Sequence, residues 1–141
     1  MSVRSKAIGL ITCGVVAVGS LSAVATAQSR SGGYSYQSGQ ELYERICQGC
    51  HMAGGEGAAG AGAYPPLAGN RKLQTPLYTA IVILRGQKAM PSFSQLNDAQ
   101  VAAVTNYVRT SFGNAFAGEV TVEQVQRLRP RAIEQNAQRP G

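Results

Sequence analysis

Cys47-Gln48-Gly49-Cys50-His51 sets two thiols one helical turn apart and an imidazole directly after the second. At that spacing both sulfurs can face one edge of a flat macrocycle while the imidazole lies beneath its centre. Cys-x-x-Cys-His is the pattern to which haem is covalently attached. Cys47 and Cys50 are therefore the expected thioether residues and His51 the expected axial ligand of the iron.

Cys-x-x-Cys also serves zinc sites and redox dithiols. A zinc site wants about four protein ligands, but His51 is the only histidine and Cys13 the only further cysteine. A thioredoxin-like pair opens a helix after a hydrophobic strand. Here the cysteines close a helical segment and run into a glycine-rich loop.

The amino terminus points to the same chemistry independently. Arg4 and Lys6 precede an apolar stretch over residues 7–24, and Ala25-Thr26-Ala27 offers small residues for cleavage, the layout of an export signal over residues 1–27. Covalent haem attachment in bacteria follows export, so a periplasmic location is expected. An uncleaved anchor on the periplasmic face of the inner membrane is the alternative, because the stretch approaches spanning length. Cys13 lies within this segment, without the small residue a lipoprotein site wants before its cysteine.

Removal of 27 residues from 141 leaves 114, room for one small domain in which a covalent haem acts as the staple. The 13 Lys and Arg, less Arg4 and Lys6, leave 11 against 7 acidic residues, a formal +4. Arg127, Arg129, Arg131 and Arg139 against Glu134 carry +3 of it. The body is nearly neutral, which argues against nucleic acid as a partner, and the basic end reads as a solvated tail or a docking surface.

Residues 28–37 read as a flexible lead-in. Ser38-Gly39-Gln40-Glu41 has the form of a capping box, and Leu42, Tyr43, Ile46 and Cys47 follow at helical spacing, so a first helix delivers the haem cysteines. The stretch from 53 to 63 lacks the Gly-Lys-Ser/Thr ending of a phosphate loop and reads as a flexible path around the haem edge. Thr75-Pro76 starts a second helix, over 76–85, with Leu77, Ala80, Ile81 and Leu84 as its stripe. Asn97-Asp98-Ala99-Gln100 caps a third, expected to be the longest, with Val101, Val104, Tyr107 and Val108 apolar and Gly113 as its stop. Thr121-Val122-Glu123-Gln124 caps a short fourth helix that Pro130 should end. No segment alternates like a strand, and there is one haem motif.

From about residue 39 to residue 113 the chain resembles class I c-type cytochromes. The resemblance implies a small all-α fold of about four helices wrapped around one covalently bound haem, with residues 38–129 as the domain and 130–141 as a basic tail. Gly39 and Tyr43 match the family's first helix, and Val104 and Tyr107 the helix that it crosses. Pro65-Pro66-Leu67 resembles the Pro-x-Leu segment whose proline carbonyl accepts a hydrogen bond from the ligand histidine; Pro65 takes that role, with Pro66 as rival. Met90-Pro91 resembles the loop carrying the second axial ligand. Elimination agrees: Met1 lies in the export segment and Met52 adjoins His51, which leaves Met90, with Lys88 and Tyr64 as weaker candidates. Leu67, Ile81, Leu84 and Phe93 are the expected apolar haem contacts.

Tyr64–Asn70, Met90–Phe93 and Asn106–Asn114 also look like segments of cytochrome subunits that accept electrons from bacterial periplasmic dehydrogenases. The function implied is a periplasmic one-electron carrier with one His/Met-ligated haem, taking electrons from a dehydrogenase and passing them to the respiratory chain. The alternatives are a membrane-tethered subunit of a dehydrogenase or oxidase, and a peroxidase or ligand sensor with an open iron. The expected partners are redox proteins.

Overall fold

A computed structural model describes residues 34–60 and 62–138; the export segment, Cys13, most of the lead-in and Arg139 lie outside them. The described chain is all-α apart from one two-residue β-pair, Ala58–Ala59 (β1) with Ala63–Tyr64 (β2).

The first helical segment is built in three parts. Ser38 Oγ accepts from the Glu41 amide at 3.1 Å and starts α1 (Gly39–Leu42), a five-residue π-turn follows over Tyr43–Cys47, and α2 (Gln48–His51) carries Cys50 and His51. The π-turn is not visible in the spacing, and such insertions gather at functional sites. A 3₁₀ turn (Arg71–Gln74) precedes α3 (Pro76–Arg85).

Asn97 and Gln100 form the expected capping box at the head of α4 (Asp98–Thr110), with reciprocal bonds of 2.8 and 2.9 Å. Gln100 is itself buried, and its Nε2 donates to the carbonyls of Tyr34 and Tyr36 at 2.6 and 2.7 Å. The end of the supposed flexible lead-in is therefore tied to α4. That helix stops at Thr110, before Gly113.

α1 crosses α4 at Gly39. A Cβ there would overlap Ala103 O and stand 2.7 Å from Tyr107 Cβ, so only glycine permits the approach. Next to the crossing, the Tyr43 and Tyr107 rings lie 5.6 Å apart. Phe112 completes a three-ring cluster, 4.7 Å from Tyr43 and edge-on to Tyr107 at 5.7 Å.

The largest departure is at the carboxy-terminal end. Thr121 and Gln124 cap α5 reciprocally, but α5 runs Val122–Ala137 straight through Pro130, and its 16 residues exceed the 13 of α4. A mid-helix proline removes one backbone bond and crowds the preceding turn. Tertiary anchors on both sides offset that loss. Val125 and Ala132 are buried. Arg129 bonds Asp98 Oδ1 at 2.7 Å and the Ser94 and Leu96 carbonyls at 2.8 Å each, while Arg85 donates to Gln135 at 3.0 Å. Residues 130–137 thus belong to a helix packed on α3 and α4, not to a solvated tail, and one of its arginines is neutralised by Asp98. Among the described residues no helix is long and apolar enough to cross a membrane.

Candidate haem site

The π-turn and α2, the loop after them, the 3₁₀ turn, α3, the loop between α3 and α4, and α4 line a cavity of about 330 Å³, within the roughly 300–1,000 Å³ usual for cofactor clefts. Cys47, Cys50, His51, Pro65, Leu67, Met90 and Phe93 all line it.

His51 ends α2, and the chain turns away at Met52, which takes the left-handed φ of 65°. Tyr43 Oη donates to Met52 O at 2.6 Å and holds that turn. His51 Nδ1 lies 3.1 Å from Pro65 O. A carbonyl only accepts, so Nδ1 carries the proton and the Nε2 lone pair is left for a metal. Burial lowers the His51 pKa, outweighing the Pro65 bond that raises it, and a neutral ring is the form that ligates. The Pro66 carbonyl instead accepts from Asn70 Nδ2 at 2.9 Å. Burial, followed by the neighbouring Cys50, pushes the Cys47 thiol up to about 12, so this wall suits an uncharged sulfur such as a thioether.

Gly55 and Gly57, near the start of the glycine-rich stretch, support the site through their backbone. Gly55 O accepts from the Leu67 and Ala68 amides at 2.7 and 2.9 Å, and Gly57 N donates to His51 O at 3.1 Å. From the other side, Asn114 Nδ2 donates to the Leu67 and Val108 carbonyls while its Oδ1 accepts from Gly69 N, all at 2.9 Å. Pro65 is thereby held against His51 from two directions. Gly57 has φ +69°, and a Cβ there would overlap Tyr64 O and stand 2.8 Å from Pro65 C and Pro66 N. Gly57→Ala is expected to cost about 2–4 kcal/mol through left-handed strain and backbone overlap, read as a lower urea midpoint. Gly49→Ala, whose Cβ meets no atom within 4 Å, is expected to leave the midpoint unchanged or raised.

Met90 is set by the segment that follows α3. Gly86 adopts φ 70°, and Gln87 and Met90 exchange backbone bonds of 3.0 and 2.9 Å. Ser92 Oγ donates to Leu84 O at 2.6 Å and Phe93 N to Ile83 O at 2.9 Å. Tyr64 and Lys88 also border the cavity.

Ile81 and Leu84 do not line it. α3 turns Tyr78, Thr79, Val82 and Ile83 to the cavity, and at 100° per residue the stripe of Leu77, Ala80, Ile81 and Leu84 lies on the opposite side; Leu84 is fully buried, and α3 packs on α4 and α5. The helix, Pro-Leu-Tyr-Thr-Ala-Ile-Val-Ile-Leu-Arg, is apolar nearly all round. That pattern signals burial on two sides, and one stripe alone could not say which side meets the cofactor.

The cavity fits the group its motif implies: apolar walls, two sulfurs on one segment, a neutral imidazole fixed by a carbonyl, and a thioether side chain on the same lining. The family described as Cytochrome C oxidase, cbb3-type, subunit III matches residues 35–108. The chain is 36% identical over 113 residues to the cytochrome c subunit of alcohol dehydrogenase (quinone) from Gluconacetobacter polyoxogenes, covering 70% of this chain and 24% of that protein. It is 33% identical over 116 residues to cytochrome c-552 of Thermus thermophilus, covering 67% of this chain and 86% of that one. The chain is 34% identical over 107 residues to the fructose dehydrogenase cytochrome subunit of Gluconobacter japonicus, covering 64% of this chain and 22% of that protein. The chain thus spans about a quarter of the length of the dehydrogenase subunits it matches.

Proposed function

Since the chain belongs to the cytochrome c family described as cytochrome c oxidase, cbb3-type, subunit III, and carries a covalent haem c in electron transfer, we propose that it is a periplasmic one-electron carrier with His51 and Met90 as axial ligands. Bound there, the iron supplies exchange of a single electron between its ferric and ferrous forms. Cys47 and Cys50 hold the group covalently. His51 presents Nε2 while Pro65 fixes the ring and raises its basicity, and Met90 offers a soft thioether that favours the reduced state relative to a second imidazole. Were His51 and Met90 both to hold the iron, the chain's own side chains would leave no place on it for oxygen or peroxide. Leu67, Val82, Ile83 and Phe93 exclude water, which favours the reduced state further.

The observation that carries this reading is the His51 Nδ1 contact with Pro65 O on the same cavity as Cys47, Cys50 and Met90. The match to most of the length of cytochrome c-552 supports a separate carrier. The matches to dehydrogenase cytochrome subunits support a dehydrogenase as electron donor, the respiratory chain being the acceptor, and favour as second reading a subunit held in such a complex.

Expression in a host that matures c-type cytochromes is expected to yield an intact mass equal to residues 28–141 plus one haem. The ferric protein should show the weak near-infrared thioether-to-iron band. Haem that extracts into acidic organic solvent, or a ferric spectrum without that band, contradicts the proposal. Co-purification from membrane and periplasmic fractions separates the carrier from the complex-bound subunit.

A further inference from the structure

Two buried side-chain oxygens lack a hydrogen-bond partner among the described residues, Thr79 Oγ1 and Thr105 Oγ1. They differ in place: Thr79 lines the haem cavity and Thr105 does not. A helical threonine ordinarily satisfies its hydroxyl on the carbonyl one turn back, as Thr110 does here with Asn106 O at 2.9 Å. Thr79, only 7% exposed, makes no such bond. An unpaired buried hydroxyl destabilises the fold, and valine would fill the same volume without that penalty. A polar group is thus kept in an apolar wall, facing a cavity that a cofactor fills.

Resting on the haem reading above, we infer that Thr79 is a positioning residue whose hydroxyl donates a hydrogen bond to an electron-rich acceptor of the haem assembly, either a haem carboxylate or the Met90 thioether. The consequence has the same sign in both cases. Donation to the thioether draws electron density from the ligand, and donation to a carboxylate disperses negative charge near the iron; each favours the ferrous state. Val82, Ile83 and Phe93 on the same lining have no polar hydrogen to give, and the Tyr78 hydroxyl is directed to Gln87 Oε1 at 3.2 Å.

The test uses the mature holoprotein as wild type, Thr79→Val and Thr79→Ser. Wild-type mass and the near-infrared band first establish haem attachment and methionine ligation, so failure of the haem reading shows in the wild type, before any variant is compared. Thr79→Val, which keeps the shape and removes the hydroxyl, is expected to lower the reduction potential, and Thr79→Ser to restore most of the shift. A shifted or weakened near-infrared band in Thr79→Val identifies the thioether as acceptor. A shifted carboxylate band in the redox-difference infrared spectrum, with the near-infrared band intact, identifies the haem carboxylate. A Thr79→Val protein that matures normally with potential and both bands unchanged overturns the inference. So does one whose lowered potential Thr79→Ser shares in full, since loss of shape would then be the cause.

Discussion

Met90→Ala is expected to leave a folded, haem-bearing protein whose ferric form has lost the near-infrared thioether band, whose ferrous form binds one carbon monoxide per haem, and whose reduction potential is lower. The fold should survive because the loop is held by backbone rather than by the Met90 side chain: the Gln87–Met90 pair, Phe93 N to Ile83 O, and the Ser92 hydroxyl on Leu84 O. Losing the side chain changes the iron and little else. On the proposed ligation by His51 and Met90, wild-type ferrous protein should bind carbon monoxide poorly. Met52 supplies the comparison. Its carbonyl holds the turn through Tyr43 Oη at 2.6 Å, so Met52→Ala should retain the band. Loss of the band in Met52→Ala together with its retention in Met90→Ala would assign the ligand to Met52 and overturn the proposal for Met90.

Arg109→Leu is expected to cost about 3–5 kcal/mol, a large share of the roughly 5–15 kcal/mol that holds a domain together. Arg109 is 1% exposed and meets no carboxylate among the described residues. It donates Nε to Leu73 O at 2.9 Å, Nη2 to Ala117 O at 2.6 Å and Nη1 to Gly118 O. One planar fork thus ties the 3₁₀ turn and the loop before α5 to the end of α4. Leucine would fill part of the space and strand three carbonyls, each costing about 1–3 kcal/mol if none reached water. Lysine keeps the charge but concentrates its donors at one point, so Arg109→Lys should fall between the two. Urea unfolding of the holoprotein measures this; a leucine variant within about 1 kcal/mol of wild type would show that the three carbonyls re-pair or hydrate readily. Leu73 also lines the haem cavity, so the leucine variant should broaden the haem spectrum before it unfolds.

Much of the site was legible in the chain because its signals are local. The spacing of Cys47, Cys50 and His51 needs only neighbouring residues, as do the caps at Ser38, Asn97 and Thr121, all three of which accept from the expected amide. Gly39 and Pro65 could be read because a glycine where helices cross and a proline carbonyl beside a ligand leave marks in the resemblance, and the close approach to Ala103 and the 3.1 Å contact with His51 match those marks.

What escaped depends on residues far apart in sequence. α3 carries apolar side chains on two faces, and only its packing on α4 and α5 turned Val82 and Ile83, rather than Ile81 and Leu84, toward the cavity. Pro130 is a stop signal locally, yet α5 passes through it because Arg129 reaches 31 residues back to Asp98 and Arg85 reaches Gln135 across 50. Arg109 and Asn114 look like surface residues until their carbonyl partners, 36 and 47 residues earlier, close around them. The sequence by itself determined the cofactor, its attachment and the helix starts, because each rests on covalent spacing or one turn of backbone. The tertiary structure alone decided which faces are buried, where the last helix ends and which polar groups hold the loops, because those free energies arise only when distant segments desolvate one another.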